Sequence, residues 1–378
     1  MKSFPLHHFI AAAVTCLLSA ALLFLPDPPA MGKGGFTVCR AKVLETDSQD
    51  VALHGLLKFG SQKLEVEILS GEHKGRKCRA NNELRAQMEL DKEFKKGDII
   101  TVNIPVGDFP DDTVLNARDH HRSFWIWVLA GIFCIFLIWF GSWVGIKAIL
   151  SFVFSFVVIW KAVIPAALAG WAPEIVIAGA TAILTFAIIF LVAGFNRTGL
   201  TAFCGAMAGV LTGLLLSALF TRLMKINGAV MPYSQTLFYS GFEFLDLQRL
   251  FAGTLILGAS GAVMDLAMDI AAGTEEIARH KPDISRKELI SSGMRMGRSV
   301  VGTMTTTLLL AYSAGFLTLL MMFKVEGHSP FVLLDNPLVA SEAVKTLIGS
   351  FSLVLVAPLT ALTSGVILKC PRKNNIIS

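Results

Sequence analysis

The sequence predicts an α-helical polytopic membrane protein with about eight transmembrane helices and a small β-rich, OB-like extracytoplasmic domain after the first helix. Of its 378 residues, 54% are hydrophobic and only 16% are charged, whereas soluble domains carry about 25% charged residues. The charged residues concentrate between positions 31 and 122. Elsewhere, apolar stretches of about 20 residues recur, the length that crosses a ~30 Å hydrocarbon core.

Residues 1–30 are predicted to form an N-terminal signal-anchor segment. Lys2 precedes an apolar run from Phe9 to Leu25, as in a signal sequence. No convincing small-x-small cleavage site stands before Pro26, so we expect the segment to remain as a transmembrane helix. Cleaved or not, it would export the residues that follow.

Residues 31–122 are predicted to form the extracytoplasmic β-rich domain. The runs 36–44 and 63–69 alternate apolar and polar residues, as half-buried strands do. Short strands joined by glycine-containing turns favour a small barrel of the OB type. We expect a short helix over 81–91. Cys39 and Cys78 are expected to be core thiols, with a disulfide between them as the alternative.

Residues 123–370 are predicted to form a membrane domain, and residues 371–378 a cytoplasmic tail. Glycines at positions 205, 209 and 213 recur at four-residue steps, which predicts close packing against another helix. The seven helices expected in this domain cover about 124–140, 143–165, 174–194, 199–220, 250–272, 299–323 and 344–368.

The basic residues predict the orientation in the membrane. With a cytoplasmic N-terminus, eight spans return the C-terminus to the cytoplasm, and cytoplasmic loops hold most of the Lys and Arg outside the β-rich domain. Cytoplasmic positions would then include Lys2, Lys147, Arg197, Arg279, Lys281, Arg286, Lys287, Arg295, Arg298, Lys369, Arg372 and Lys373. Short outer loops would hold Arg222, Lys225, Arg249, Lys324 and Lys345.

Two carboxylates inside the predicted span 250–272 are the leading candidate site. Asp265 and Asp269 lie one helical turn apart. On scales derived from translocon insertion, placing one aspartate at a helix centre costs roughly 2.5–3.5 kcal/mol. The pair therefore needs water, a partner or a proton. We predict that both residues bind a substrate or ion, with Asp265 the deeper of the two.

Three threonines of the next predicted span complete the candidate site. Thr303, Thr306 and Thr307 share one helical face by their spacing. Their hydroxyls could line a polar path or solvate a carboxyl group. Alternatively, they could bond back to carbonyls of their own helix.

Enzymatic motifs are not found. Ser260 lies in a Gly-x-Ser-Gly pattern resembling the nucleophile of rhomboid proteases, but no later span supplies a histidine base. The sequence has no HExxH, P-loop, dinucleotide or Cys/His metal motif. We therefore expect no enzymatic activity, cofactor or metal. The net charge of +5 follows the membrane topology, so it does not indicate nucleic-acid binding.

Several short motifs occur along the chain in a recognisable order. They are Ser70-Gly71-x-x-x-Gly75, Lys96-Gly97-Asp98, the runs 261–268, 292–298 and 302–312, and Ala357-Pro358-Leu359. In these motifs and in the order of its parts, the chain resembles the YibE/F-like family of bacterial membrane proteins. The resemblance implies a bacterial cytoplasmic (inner) membrane location and this architecture. The family pattern has serine where this chain has Asp269, which concentrates the functional case on Asp265.

Two functions of different classes remain open from the sequence. The first is an integral membrane transporter or permease for an unknown small solute or ion, which Asp265 could couple to protons. The second is a non-transporting scaffold or envelope sensor whose extracytoplasmic domain binds a ligand or a partner protein of the envelope or membrane. The lipid bilayer is the partner common to both.

Overall fold

The computed structural model describes residues 6–24, 35–88, 91–110, 112–327 and 329–368. The chain divides into two compact units, Ala30–Phe136 and Met1–Pro29 with Leu137–Ser378. The first unit contains the β-strands and the second contains most of the helices. The predicted tail, 371–378, lies outside the described residues.

The strands of the first unit form a closed barrel. β1 pairs with β5, β5 with β6, β6 with β4, β4 with β3, and β3 again with β1. The β4–β6 pair is parallel, and the other pairs are antiparallel. β2 extends β3 as an edge hairpin. The strands are β1 (Phe36–Asp47), β2 (Val51–His54), β3 (Leu57–Ile68), β4 (Lys77–Arg85), β5 (Ile99–Pro105) and β6 (Val114–His120).

The barrel core follows the period-two alternation of the sequence. Val43, Val66 and Val102 are fully buried, while the residues on either side of each along its strand are partly or fully exposed. Cys39 and Cys78 lie in this core. Because Cys39 is a free thiol, no disulfide joins the two.

The predicted helix over 81–91 is wrong, because β4 continues to Arg85. Asn82 points into the barrel, where its amide donates to Gln62 Oε1 at 3.1 Å and to the Lys92 carbonyl at 2.6 Å. Gln62 and Asn82 are polar residues at buried positions. They interrupt the alternation of apolar and polar residues by which a strand is recognised in a sequence. The hydrogen bond between them, together with those that Asn82 and Gln62 donate to the Lys92 and Phe94 carbonyls, makes the burial tolerable.

Asp119, near the end of β6, accepts bonds from Lys92 Nζ at 2.8 Å and Arg122 Nη1 at 2.5 Å. Partial burial would raise the pKa of this carboxyl, but the two cations outweigh that effect and lower it. A lowered pKa means that the charged form stabilises the fold at neutral pH. This contribution is lost as the pH falls below about 4, through the pKa of the folded state.

We predict that Asp119→Asn removes part of the acid sensitivity of β6. Because the carboxylate is half exposed, its contribution is about 0.5 kcal/mol, or roughly a twofold change in protection. Hydrogen exchange of the β6 amides at pH 6 and pH 3, corrected for intrinsic rates, measures it. Asp108→Asn, in an exposed loop, is the control. An unchanged pH dependence in Asp119→Asn would refute the assignment.

The second unit is a helical bundle. Helix α2 belongs to both units, because the division between them falls within it. The helices are α1 (Leu6–Leu23), α2 (Ser123–Val158), a π-helical turn (Ile159–Val163), α3 (Ile164–Leu168), α4 (Pro173–Ala193), α5 (Arg197–Leu223), α6 (Ser234–Tyr239), α7 (Leu247–His280), α8 (Arg286–Gly315), α9 (Leu317–Val325), α10 (Pro330–Asp335) and α11 (Pro337–Ile367).

Among the described residues, five helical stretches are long and apolar enough to cross a membrane, or six if α8 and α9, bent by 66°, form one span. The expected number was about eight. The first predicted span corresponds to α1, whose apolar part, Ala12–Leu23, is shorter. The second and third fall within one stretch, Ser123–Leu168, which breaks at Ser142 with φ of 47°. The count of eight therefore stays a prediction.

Helix α7 is the centre of the bundle and packs against α4, α5, α8 and α11. At its N-terminus, Arg249 Nη1 lies 3.1 Å from Glu174 Oε1 of α4, so both helices begin at the same end. Ser217 of α5 donates to the Ala252 carbonyl of α7 at 2.7 Å.

The glycine stripe of α5 packs closely against α11, as its spacing predicts. An added Cβ at Gly205, Gly209 or Gly213 would meet Thr360, Val356 or Ser352, respectively. Small residues let the two backbones approach, which is how helices associate without a hydrophobic driving force between them.

We predict that Gly209→Ala destabilises the bundle. Its Cβ would lie 2.9 Å from Val356 Cβ, and such overpacking costs about 1–3 kcal/mol. Gly179→Ala is the matched control, because an added Cβ there meets open space and alanine favours helix by up to about 1 kcal/mol. Thermal unfolding in detergent should show a lower midpoint only for Gly209→Ala. Equal midpoints would contradict the packing.

Candidate functional site

The predicted carboxylates lie on the exposed side of α7. The opposite side of this helix is core, with Phe251, Leu266 and Ala267 fully buried. Asp246 caps the helix by accepting from the Arg249 amide at 3.0 Å. Residues exposed along one face recur at three- and four-residue steps. We call this stripe the α7 polar face: Gly258, Gly261, Asp265, Asp269 and Ala272.

The α7 polar face lacks large apolar side chains. Other long helices present such residues to their surroundings, for example Phe186 on α4, Leu211 on α5 and Phe351 on α11. Helix α7, all of whose residues are described, contributes none to that exposed set. A membrane helix facing lipid needs apolar side chains. The α7 polar face is therefore not suited to contact with lipid.

Asp265 and Asp269 have no hydrogen-bond or ion-pair partner among the described residues. Asp265 lies 16 residues beyond Arg249, or about 24 Å along the helix axis. Asp269 lies another turn further, about 30 Å from Arg249. The Arg249–Glu174 pair marks one end of the bundle. Asp265 is therefore well inside a membrane-length segment, and Asp269 is near its far end.

Helix α8 runs antiparallel beside α7. An added Cβ at Gly258 would lie 3.1 Å from the Tyr312 hydroxyl, and one at Gly273 would overlap Met296. These two contacts fix the alignment of α8 along α7. Because both helices rise by the same distance per residue, Asp265 lies at the depth of about residue 305 of α8. The threonines of α8 thus lie at the same depth as Asp265.

The threonine hydroxyls donate to their own helix rather than to Asp265. Thr303 Oγ1 lies 2.9 Å from the Val300 carbonyl, Thr306 Oγ1 3.0 Å from that of Gly302, and Thr307 Oγ1 2.9 Å from that of Thr303. All three side chains are exposed. Of the two alternatives for these residues, the backbone-bonded one is present. Each oxygen can still accept a hydrogen bond from water or ligate a cation.

A further polar cluster near the other end of α7 was missed from the sequence. Glu342 Oε1 and Lys345 Nζ of α11 pair at 2.5 Å, and Lys345 Nζ lies 5.8 Å from the centre of the Phe251 ring. Glu342 also interacts electrostatically with Tyr312. The signal was the i,i+3 spacing of opposite charges at the start of an apolar run.

The serine of the Gly-x-Ser-Gly pattern bonds within its own helix. Ser260 Oγ donates to the Leu257 carbonyl at 2.8 Å, as a packing serine does. No group of three His, Cys, Asp or Glu side chains is arranged to hold a metal ion within the described ranges.

These features define a membrane protein with several apolar helices and an N-terminal β-barrel-like domain. Residues 129–370 match the family model described as YibE/F-like protein, and residues 38–112 match that of the YibE/F family N-terminal domain. The chain belongs to the YibE/F-like family. The family is of unknown function, so membership assigns no activity. No curated protein and no solved structure matches the chain.

Proposed function

We propose that this protein is a membrane transporter or permease whose substrate or coupling ion passes along the α7 polar face. The observation that carries the proposal is the composition of that face: two unpartnered carboxylates and no large apolar side chain, on the central helix of the bundle. An ionisable group held inside a membrane helix marks an ion or proton pathway.

Asp265 is the proton- or cation-binding group in this mechanism, and Asp269 is the relay toward the far end of α7. Because Asp269 lies one turn away, charge on one carboxylate opposes charge on the other. Protonation or a bound cation relieves this repulsion. The oxygens of Thr303, Thr306 and Thr307 contribute acceptors for water or a cation, since their protons are held by backbone carbonyls.

A second candidate is a non-transporting scaffold or envelope sensor. It is favoured by the exposure of Asp265 on the side of the bundle, where a partner protein could cover the carboxylates. In that case the α7 polar face is an assembly surface, and no solute crosses the membrane.

We further propose eight transmembrane spans. They are α1, the two parts of Ser123–Leu168 on either side of Ser142, α4, α5, α7, the α8–α9 pair and α11. An unbroken helix of 46 residues would be about 69 Å long, more than twice the hydrocarbon thickness. An added Cβ at Gly145 would overlap the Leu137 backbone, which supports a reversal of the chain at Ser142.

The proposed location is the bacterial inner membrane, with cytoplasmic termini and an extracytoplasmic 31–122 domain, because basic residues concentrate in the loops assigned to the cytoplasm. The proposed barrel type is the OB fold. Its strand order β1-β5-β6-β4-β3 with one parallel pair supports this, since OB folds are five-stranded Greek-key barrels. β2 is then an addition within the first connection.

We predict that Asp265→Asn lowers transport by about tenfold or more, because an amide neither binds nor releases a proton. The substrate would first be found by comparing the metabolites and metal ions of cells with and without the protein. Flux of that solute is then measured in proteoliposomes between pH 5 and pH 8.

Asp335→Asn is the control, since Asp335 lies on the exposed end of the short helix α10. Unchanged flux in Asp265→Asn at every pH would refute the proposal. A complete absence of solute flux, together with loss of a co-purifying protein in Asp265→Asn, would favour the scaffold.

A further inference from the structure

The β-domain carries a cavity of about 550 Å³ on its outer surface, within the usual range for small-ligand sites. It lies across β1, β3, β4 and the start of β6. The bulge in β1 between Val43 and Glu45 bends this strand, and β4 pairs with β6 over only three residues. Both irregularities shape the concave surface.

Opposite charges lie at the two sides of the cavity. Glu45 of β1 lies directly opposite Glu65 of β3, and Glu65 lies directly opposite Arg79 of β4. One row across three neighbouring strands therefore reads Glu, Glu, Arg. Like charges directly opposite each other in a sheet are destabilising. The fold retains this unfavourable pair at the lining of a cavity.

The charged groups in that row are available to a ligand. Glu45, Glu65 and Arg79 have no side-chain hydrogen bond or ion pair with a described residue. Lys63, also in the lining, is already paired with Asp50 at 2.6 Å. Ser61 donates to Asn81 Oδ1 at 2.6 Å, which leaves the Asn81 amide protons available at the floor.

The lining argues against several ligand classes. The described residues that line it include no aromatic side chain, whereas single-stranded nucleic acids bind through aromatic stacking in a positively charged groove. Among the described lining residues, the carboxylates of Glu45, Asp47 and Glu65 outnumber the unpaired cation, Arg79. A purely cationic ligand would pair with the carboxylates but leave Arg79 without a partner. A ligand with an ammonium group at one end and a carboxylate at the other satisfies both sides.

The separation of the charges sets the length of the ligand. Neighbouring strands are about 4.8 Å apart, so Glu45 and Arg79 are separated by about 10 Å at the backbone. An extended peptide spans about 3.3–3.6 Å per residue, so about three residues cover this distance. The geometry points to a binding site for short zwitterionic peptides, with the N-terminal ammonium on Glu45 and the C-terminal carboxylate on Arg79.

This site goes beyond the proposed transport function, because binding to the β-domain needs no solute flux. The test is calorimetric titration of the full-length protein in detergent with three probes: trialanine, its N-acetylated form and its C-terminal amide. Loss of a charge-assisted hydrogen bond should weaken binding of each blocked peptide by about tenfold or more.

Variants assign each end of the peptide to its side chain. Arg79→Gln should remove the preference for the free carboxylate and keep the preference for the free ammonium. Glu45→Gln should do the reverse. Arg118→Gln, on an exposed position of β6 outside the cavity, should behave as the unmodified protein.

Three results would overturn the inference. They are no binding of trialanine at millimolar concentration, equal binding of all three probes, or the same loss in Arg118→Gln as in Arg79→Gln. Circular dichroism of each variant separates a lost contact from a lost fold.

Discussion

The cost of placing carboxylates in a membrane-length helix is the constraint on which the rest depends. Asp265 and Asp269 lie on the most central helix of the bundle, and neither is neutralised by a described side chain. Facing lipid, they would oppose insertion. The α7 polar face must therefore meet water, an ion or another protein, or its carboxyl groups must be protonated. The absence of large apolar side chains from this face agrees with that requirement.

The remainder of the bundle makes this placement tolerable. Close packing through Gly205, Gly209 and Gly213 holds α5 against α11, and α7 packs against both. Such small-residue contacts give stability without large side chains. The core is therefore dense on one side of α7, while the other side remains available for solvation.

Sequence patterns predicted the features that follow from composition and period. The apolar stretches, the glycine stripe and the alternation in β1 and β3 are repeated signals, and each corresponds to an element of the structure. The carboxylate pair was also identifiable, because charge is rare in such helices.

Other features depended on contacts that no local pattern carries. Asn82 concealed the end of β4, since its partners Gln62 and Lys92 are distant in sequence. The Thr306 hydroxyl donates to the Gly302 carbonyl. The spacing of the threonines along the sequence does not determine whether a hydroxyl bonds to its own helix or to a carboxyl group. The Glu342–Lys345 pair lies near α7 only because α11 packs beside Phe251, a contact between residues far apart in sequence.

The most direct test is to measure whether water reaches the α7 polar face. Gly261→Cys and Leu211→Cys lie at a similar depth, since Gly209 faces Val263 across the α5–α7 contact. A membrane-impermeant thiol reagent, read by site-resolved mass spectrometry, compares the two positions in membranes. Because the thiolate is the reacting species, a hydrated position should react at least about tenfold faster than a lipid-facing one. Gly261→Cys is expected to react faster than Leu211→Cys, and equal, slow reaction at both positions would contradict hydration of the α7 polar face.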